Sequence, residues 1–228
     1  MITALLFDLD GTLLDSRDAV IDAVAYTAEE YAPGHFSRDE LLARFGESFD
    51  DFLAAVAAAA GIPDKKEVLD KYFGYVRQNH AQHVRLFPFV REGLETLKEA
   101  GYLLAIVTNK QREFAVAGLE MAEIDHLFEA IVSVDDVSRG KPSAEPVQKA
   151  LVELGKKPGE AMMIGDSRYD VLAAVGAGVQ AVVLEWYGQE EWAYAKPDFT
   201  YPNFQAFVTE MLAVKTKGRE IKTWHEWC

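Results

Sequence analysis

Two short stretches of the chain pair carboxylates at spacings that suit metal and phosphate chemistry. Leu5-Leu6-Phe7-Asp8-Leu9-Asp10-Gly11-Thr12 runs from apolar residues into Asp8, a second acid two positions later, and a Gly-Thr turn. Side chains along a strand repeat every two residues, so Asp8 and Asp10 leave its end on the same side. Two such acids repel one another unless a cation or a proton lies between them. A metal-assisted nucleophile with a neighbouring acid/base would need that pair. The plainer reading is a strand followed by an Asp-Gly turn, with Gly11 permitting the turn. Met162-Met163-Ile164-Gly165-Asp166-Ser167-Arg168-Tyr169-Asp170 repeats the theme, with a second acid four residues after the first. Such a pair can serve one divalent cation. Asp166 could equally be a helix N-cap, and Asp170 an acid beside the helix dipole.

Two more stretches carry complementary chemistry. In Val107-Thr108-Asn109-Lys110 a hydroxyl and an amide follow an apolar run and can hydrogen-bond an anion; an ordinary Asn or Thr cap would look the same. In Arg139-Gly140-Lys141-Pro142 the proline restricts Lys141 to an extended backbone and can open a helix, a way to fix a lysine in place. The usual fate of such a lysine is the surface.

The elements that would position these residues follow from periodicity. Apolar runs at 4–7, 102–107, 130–134, 161–164 and 181–184 read as strands, with a last edge strand near 196–200. Helical patterns lie between them at 91–100, 112–121, 144–154, 170–177 and 204–214. The expected fold class is α/β, a doubly wound parallel sheet, whose ligands sit beyond the carboxyl ends of the strands. Residues 17–87 read as helices without a strand: 18–31, then 38–45 with Ser37 and Glu40 as a capping box, 49–60, and 65 to about 83. The aromatic centre of the last, Tyr72 to Val76, should face the other helices. The expected division is a core of 1–15 and 88–228, carrying a helical insert at 16–87.

Composition narrows the function. Half of the 228 residues are hydrophobic and 26% are charged, a globular profile. The formal net charge of -14 argues against nucleic acid or anionic membranes as partners. An anionic small molecule can still bind where local cations prevail. The single cysteine, Cys228, allows no internal disulfide and fits a reducing compartment. With no leader pattern and no membrane-length apolar run, the expected location is cytoplasmic.

Taken in order, strand-Asp-x-Asp-Gly-Thr, strand-Thr, Lys-Pro and strand-Gly-Asp-x-x-x-Asp resemble the four motifs of the haloacid dehalogenase (HAD) superfamily, across essentially the whole chain. The resemblance implies a Rossmann-like HAD core with an inserted α-helical cap domain of the first type. It implies Asp8 as nucleophile forming an aspartyl-phosphate, and Asp10 as acid for the leaving oxygen and then base for water. Thr108 and the Asn109 backbone N–H would bind a phosphoryl oxygen, and Lys141 would neutralise charge around Asp8. Asp166, the Asp8 carboxylate and the Asp10 carbonyl would bind Mg²⁺, with Asp170 supporting the metal shell. An acid at Asp10 resembles the phosphatase branch rather than the dehalogenase or phosphonate-cleaving branches. Relatives often read Lys-Pro-x-Pro; here it is Lys141-Pro142-Ser143-Ala144, which leaves the lysine intact.

The closest group resemblance is to phosphoglycolate phosphatases, which implies a small-molecule phosphate ester as partner and a monomer or homodimer. Pyrophosphate, sugar phosphates and nucleoside monophosphates stay open as substrates. In the cap, Arg44 of Arg44-Phe45-Gly46-Glu47-Ser48 is a candidate for a substrate carboxylate or phosphate, or a solvated helix-end arginine. His80, His83 and Arg85 are expected at the surface. A mutase of β-phosphoglucomutase type uses the same core residues, and a non-catalytic binding protein is the alternative from another class. Trp186, Trp192, Trp224 and Trp227 would then mark an interaction surface.

Overall fold

Ala4–Phe7 forms β1, and all four of its side chains are fully buried. A strand buried on both faces belongs in the middle of a parallel sheet. The computed structural model places it there and describes residues 1–45, 49–62, 65–79, 85–188, 195–217 and 221. After β1 come β2 (Leu14–Asp15), α1 (Arg17–Tyr31), α2 (Arg38–Leu42), α3 (Phe49–Ala59), α4 (Lys65–Asn79) and β3 (Arg85–Leu86). Then follow α5 (Val90–Glu99), β4 (Leu103–Val107), α6 (Arg112–Met121), β5 (Ala130–Val132), α7 (Glu145–Leu154), β6 (Ala161–Gly165), α8 (Arg168–Ala177), β7 (Gln180–Leu184), β8 (Phe199–Tyr201) and α9 (Phe204–Lys217).

Six strands form one parallel sheet in the order β5-β4-β1-β6-β7-β8. The chain builds outward from β1 in one direction and then in the other, so β1 lies at the point where strand order reverses. Phe7 is level with Ile106 of β4 and Ile164 of β6, so the residues just beyond these three strands emerge side by side. Neighbouring strands are about 4.8 Å apart, which is within reach of two facing side chains. The β1 pleat divides its residues between two cores. Ala4 and Leu6 join Val107, Val147, Met163, Val171 and Ala174 on one face. Phe7 packs on the other against Phe204 and Phe207, ring centroids 5.9 and 6.3 Å away.

Residues Met1–Leu14 with Leu86–Cys228 make one unit, and Asp15–Arg85 make a second. Within the second unit α1 packs on α4; Tyr26 stacks on Tyr75 at 4.5 Å, and Tyr72 and Val76 are buried. Ser37 and Glu40 form the expected reciprocal capping box, but α2 ends at Leu42, short of 45. The expectation that 17–87 holds no strand is corrected: Arg85–Leu86 is a two-residue strand paired with β2. Residues 46–48, Pro63, His80, His83, Trp192, Trp224, Trp227 and Cys228 lie outside the described residues. No helix among the described residues is long and apolar enough to cross a membrane.

Candidate active site

The two carboxylate stretches meet at the carboxyl end of the sheet. Asp8 follows β1 and Asp166 follows β6, while Asp170 lies in the first turn of α8. Asp8, Asp166 and Asp170 each offer one carboxylate oxygen within 4.8 Å of the others. Lys141 reaches into this group, its Nζ 2.8 Å from Asp8 Oδ1 and 2.6 Å from Asp170 Oδ1. The Lys141 side chain is 2% exposed, so it is not the surface lysine that its type would favour. Thr12 Oγ1 donates to Asp166 Oδ1 at 3.1 Å, tying the turn after β1 to the end of β6.

Local chemistry explains these positions. Ser167, not Asp166, is the N-cap of α8, and Asp170 completes a capping box with it. The Ser167 hydroxyl and N–H donate to Asp170 Oδ2 at 2.7 and 3.1 Å, leaving Oδ1 for Lys141. Gly165 makes room: a Cβ there would fall 2.2 Å from Asp170 Cγ. Pro142 does not open α7, as the sequence suggested; the first turn of α7 holds Pro146, and Pro142 lies in the preceding loop, joined to Lys141 by a cis peptide.

The charges are unbalanced around the three acids. Burial pushes the Asp8 carboxyl up to about 7, with Lys141 opposing and Asp170 adding to the rise. Burial, then Asp170 and Asp8, hold Asp166 well above the usual carboxylate range. Burial works against the charge of Lys141, but Asp170 and Asp8 more than offset it and raise its pKa. One ammonium is therefore too little for three clustered acids, and the all-oxygen donor set suits a hard divalent cation.

The loop after β4 supplies the rest. Thr108 is 2% exposed at the strand end, and its Oγ1 accepts the Lys110 N–H at 3.1 Å. Asn109 clamps the Lys141 main chain: its Nδ2 donates to the Lys141 carbonyl at 2.8 Å, and its Oδ1 accepts the Lys141 N–H at 2.7 Å. Neither residue caps the next helix, since Gln111 precedes α6 without a side-chain cap bond. Lys110, which no motif in the sequence singles out, places Nζ 2.7 Å from Asp10 Oδ2. Its signal was the excess of acids over bases at the strand ends. Asp10 is not one of the three clustered carboxylates.

The other residues singled out have partners of their own. The Arg44 guanidinium lies over the Phe52 ring, 4.7 Å from its centroid, within the helical unit. Arg168 pairs with Tyr169, donating to its hydroxyl at 3.0 Å. Trp186 is not a free surface aromatic: it stacks on Phe87 at 4.3 Å and donates through Nε1 to the Thr12 carbonyl at 3.1 Å.

Comparison with known proteins gives the family. The family model for haloacid dehalogenase-like hydrolases matches residues 5–184. Pyrophosphatase PpaX of Anoxybacillus flavithermus is 36% identical over 203 residues, covering 87% of this chain and 91% of that protein. A predicted phosphoglycolate phosphatase from Haemophilus somnus 129PT superposes with a TM-score of 0.80 at 27% identity, covering 91% of this chain and 97% of its own. The haloacid dehalogenase-like family protein SP0104 from Streptococcus pneumoniae gives 0.78 at 28% identity, with 92% and 98% covered. The matched span begins in β1 and ends in β7, and so contains every strand that delivers a residue to the acid cluster; this chain belongs to the haloacid dehalogenase-like hydrolase family.

Proposed function

We propose that the chain is a Mg²⁺-dependent phosphatase that hydrolyses a small phosphate compound through a phosphorylated Asp8. The observation that carries this reading is the convergence of Asp8, Asp166 and Asp170 on Lys141 at the end of the central strand. Pyrophosphate is the first substrate to test, given the name of the 36% identical relatives, and phosphoglycolate the second.

Asp8 and Asp166 would hold the ion, together with the Asp10 carbonyl, with Asp170 supporting the metal shell; bound Mg²⁺ would supply charge neutralisation for the phosphoryl oxygens. The chain's own groups do the rest. Asp8, fixed by Lys141, attacks phosphorus, and the bond to the leaving oxygen breaks. Asp10 gives that oxygen a proton. Thr108 and the Asn109 N–H hold a phosphoryl oxygen. Water then attacks phosphorus while Asp10 takes its proton, the bond to Asp8 breaks, and inorganic phosphate leaves. Lys141 balances charge on Asp8 throughout, the kind of fixed electrostatic support phosphoryl transfer relies on.

Phosphate release from a panel of pyrophosphate, phosphoglycolate, sugar phosphates and nucleoside monophosphates tests this, with the Asp8→Asn protein alongside. The expected result is release from the wild type with Mg²⁺, lost on chelation and restored by Mg²⁺, and a loss of at least about a thousandfold in the variant with folding retained. Normal turnover in Asp8→Asn would sink the mechanism. Isomerisation of a sugar phosphate without phosphate release would move the reading to a mutase.

A further inference from the structure

Asp8 is aimed by the strand that precedes it, but Asp10 is not. It lies three residues past the end of β1, in a turn where it bridges to Leu14 and where Gly11 has a φ of +80°. The pleat of the strand no longer sets its direction there, yet an acid/base must keep one. Lys110 is the group that meets it: Nζ to Oδ2 is 2.7 Å, with side chains 6% and 15% exposed. Burying a lysine this far costs the side-chain freedom of a long flexible chain. Its backbone is held on both sides, the N–H donating to Thr108 Oγ1 at 3.1 Å and the carbonyl accepting the Val134 N–H at 3.3 Å. The two buried lysines thus divide the acids between them. Lys141 ties Asp8 to Asp170, and Lys110 takes Asp10. With every carboxyl ionised, the form that holds a metal, Asp8, Asp10, Asp166 and Asp170 face two ammonium groups and leave two negative charges for a divalent cation to balance.

We propose that Lys110 is the positioning residue for Asp10, fixing its carboxylate in the orientation from which it passes a proton to the leaving oxygen. The inference rests on the phosphatase reading above and extends it by one residue. A lysine that served only as a structural counter-ion would, when removed, slow all substrates alike. A lysine that orients the acid matters most where the leaving group most needs a proton.

The test compares kcat/KM for glycerol phosphate, whose alkoxide needs protonation, with that for p-nitrophenyl phosphate, whose phenolate leaves readily without it. The proteins are the wild type, Lys110→Met, Lys110→Arg, Asp10→Asn and the double variant, all with saturating Mg²⁺. General acid catalysis is worth about a hundredfold or more, so misplacing the acid in Lys110→Met should lower the glycerol phosphate to p-nitrophenyl phosphate ratio by at least about tenfold. Lys110→Arg should recover part of that ratio, and adding Lys110→Met to Asp10→Asn should change it no further. The ratio is independent of how much of each variant is folded, because the active concentration cancels. Equal losses on both substrates, an unchanged ratio in Lys110→Met, or a further fall in the double variant would overturn the proposal. A wild type that releases phosphate from neither compound nor from the wider panel would overturn the phosphatase reading itself, a different failure from an unchanged ratio.

Discussion

At the scale of single residues, the site is defined by how few positive charges face its acids. Asp8 carries the clearest consequence. Its carboxyl is lifted from 3.8 to about 7, first by burial, with Asp170 adding and Lys141 opposing. A proton therefore stays on Asp8 in the metal-free folded protein where the unfolded chain would have released it. The stability this group contributes is fully present below about pH 3.8 and is lost as pH rises through about 7. A divalent cation needs the deprotonated carboxylate, so protons and metal compete for the same oxygens. Isothermal titration with Mg²⁺ should then show affinity weakening by up to about tenfold per pH unit as pH falls below 7, with proton release on binding. Equal affinity at pH 6 and pH 8 would mean that Asp8 is not a ligand. Heating experiments give a second reading of the same linkage: Mg²⁺ should raise the unfolding temperature more at pH 8 than at pH 6.

At the scale of elements, the strands were legible wherever an apolar run stops abruptly at a carboxylate or hydroxyl. Ala4–Phe7 before Asp8 and Ala161–Gly165 before Asp166 announce themselves in this way, because a strand buried on both faces tolerates no polar residue until it ends. The paired strands Leu14–Asp15 and Arg85–Leu86 were not legible, since two residues carry no periodicity. The Asn109 clamp on Lys141 and the Lys110–Asp10 pair were equally hidden, as each joins segments 32 and 100 residues apart. Gly165 shows how closely element and site are joined. The α8 turn can bring Asp170 beside Lys141 only because β6 ends without a side chain there. Gly165→Ala would put a methyl group 2.2 Å from Asp170 Cγ, so either the strand end or the carboxylate must shift. The expected cost is about 1–3 kcal/mol of stability, from overpacking, together with a large loss of kcat. Thermal unfolding and kinetics on the purified variant check both; wild-type turnover would show that Asp170 can be held from elsewhere.

At the scale of the whole molecule, charge sets a problem for an enzyme whose substrates are anions. The chain carries a formal charge of -14, and acids outnumber lysines among the paired groups of the site. At that net charge an approaching phosphate compound should be repelled at long range and held only by short-range contacts. Salt acts on the first of these far more than on the second, because screening grows with distance and the Debye length is about 10 Å at 0.1 M. Raising ionic strength from about 20 to about 200 mM at saturating Mg²⁺ should therefore increase kcat/KM for pyrophosphate, by about two- to fivefold, with kcat little changed. The opposite slope would show that a local cationic patch outweighs the net charge during encounter. Arg44 of the helical unit would be the first residue to test in that event, by asking whether Arg44→Ala abolishes the salt dependence. A rise in kcat/KM with salt would instead show that the net charge governs the encounter.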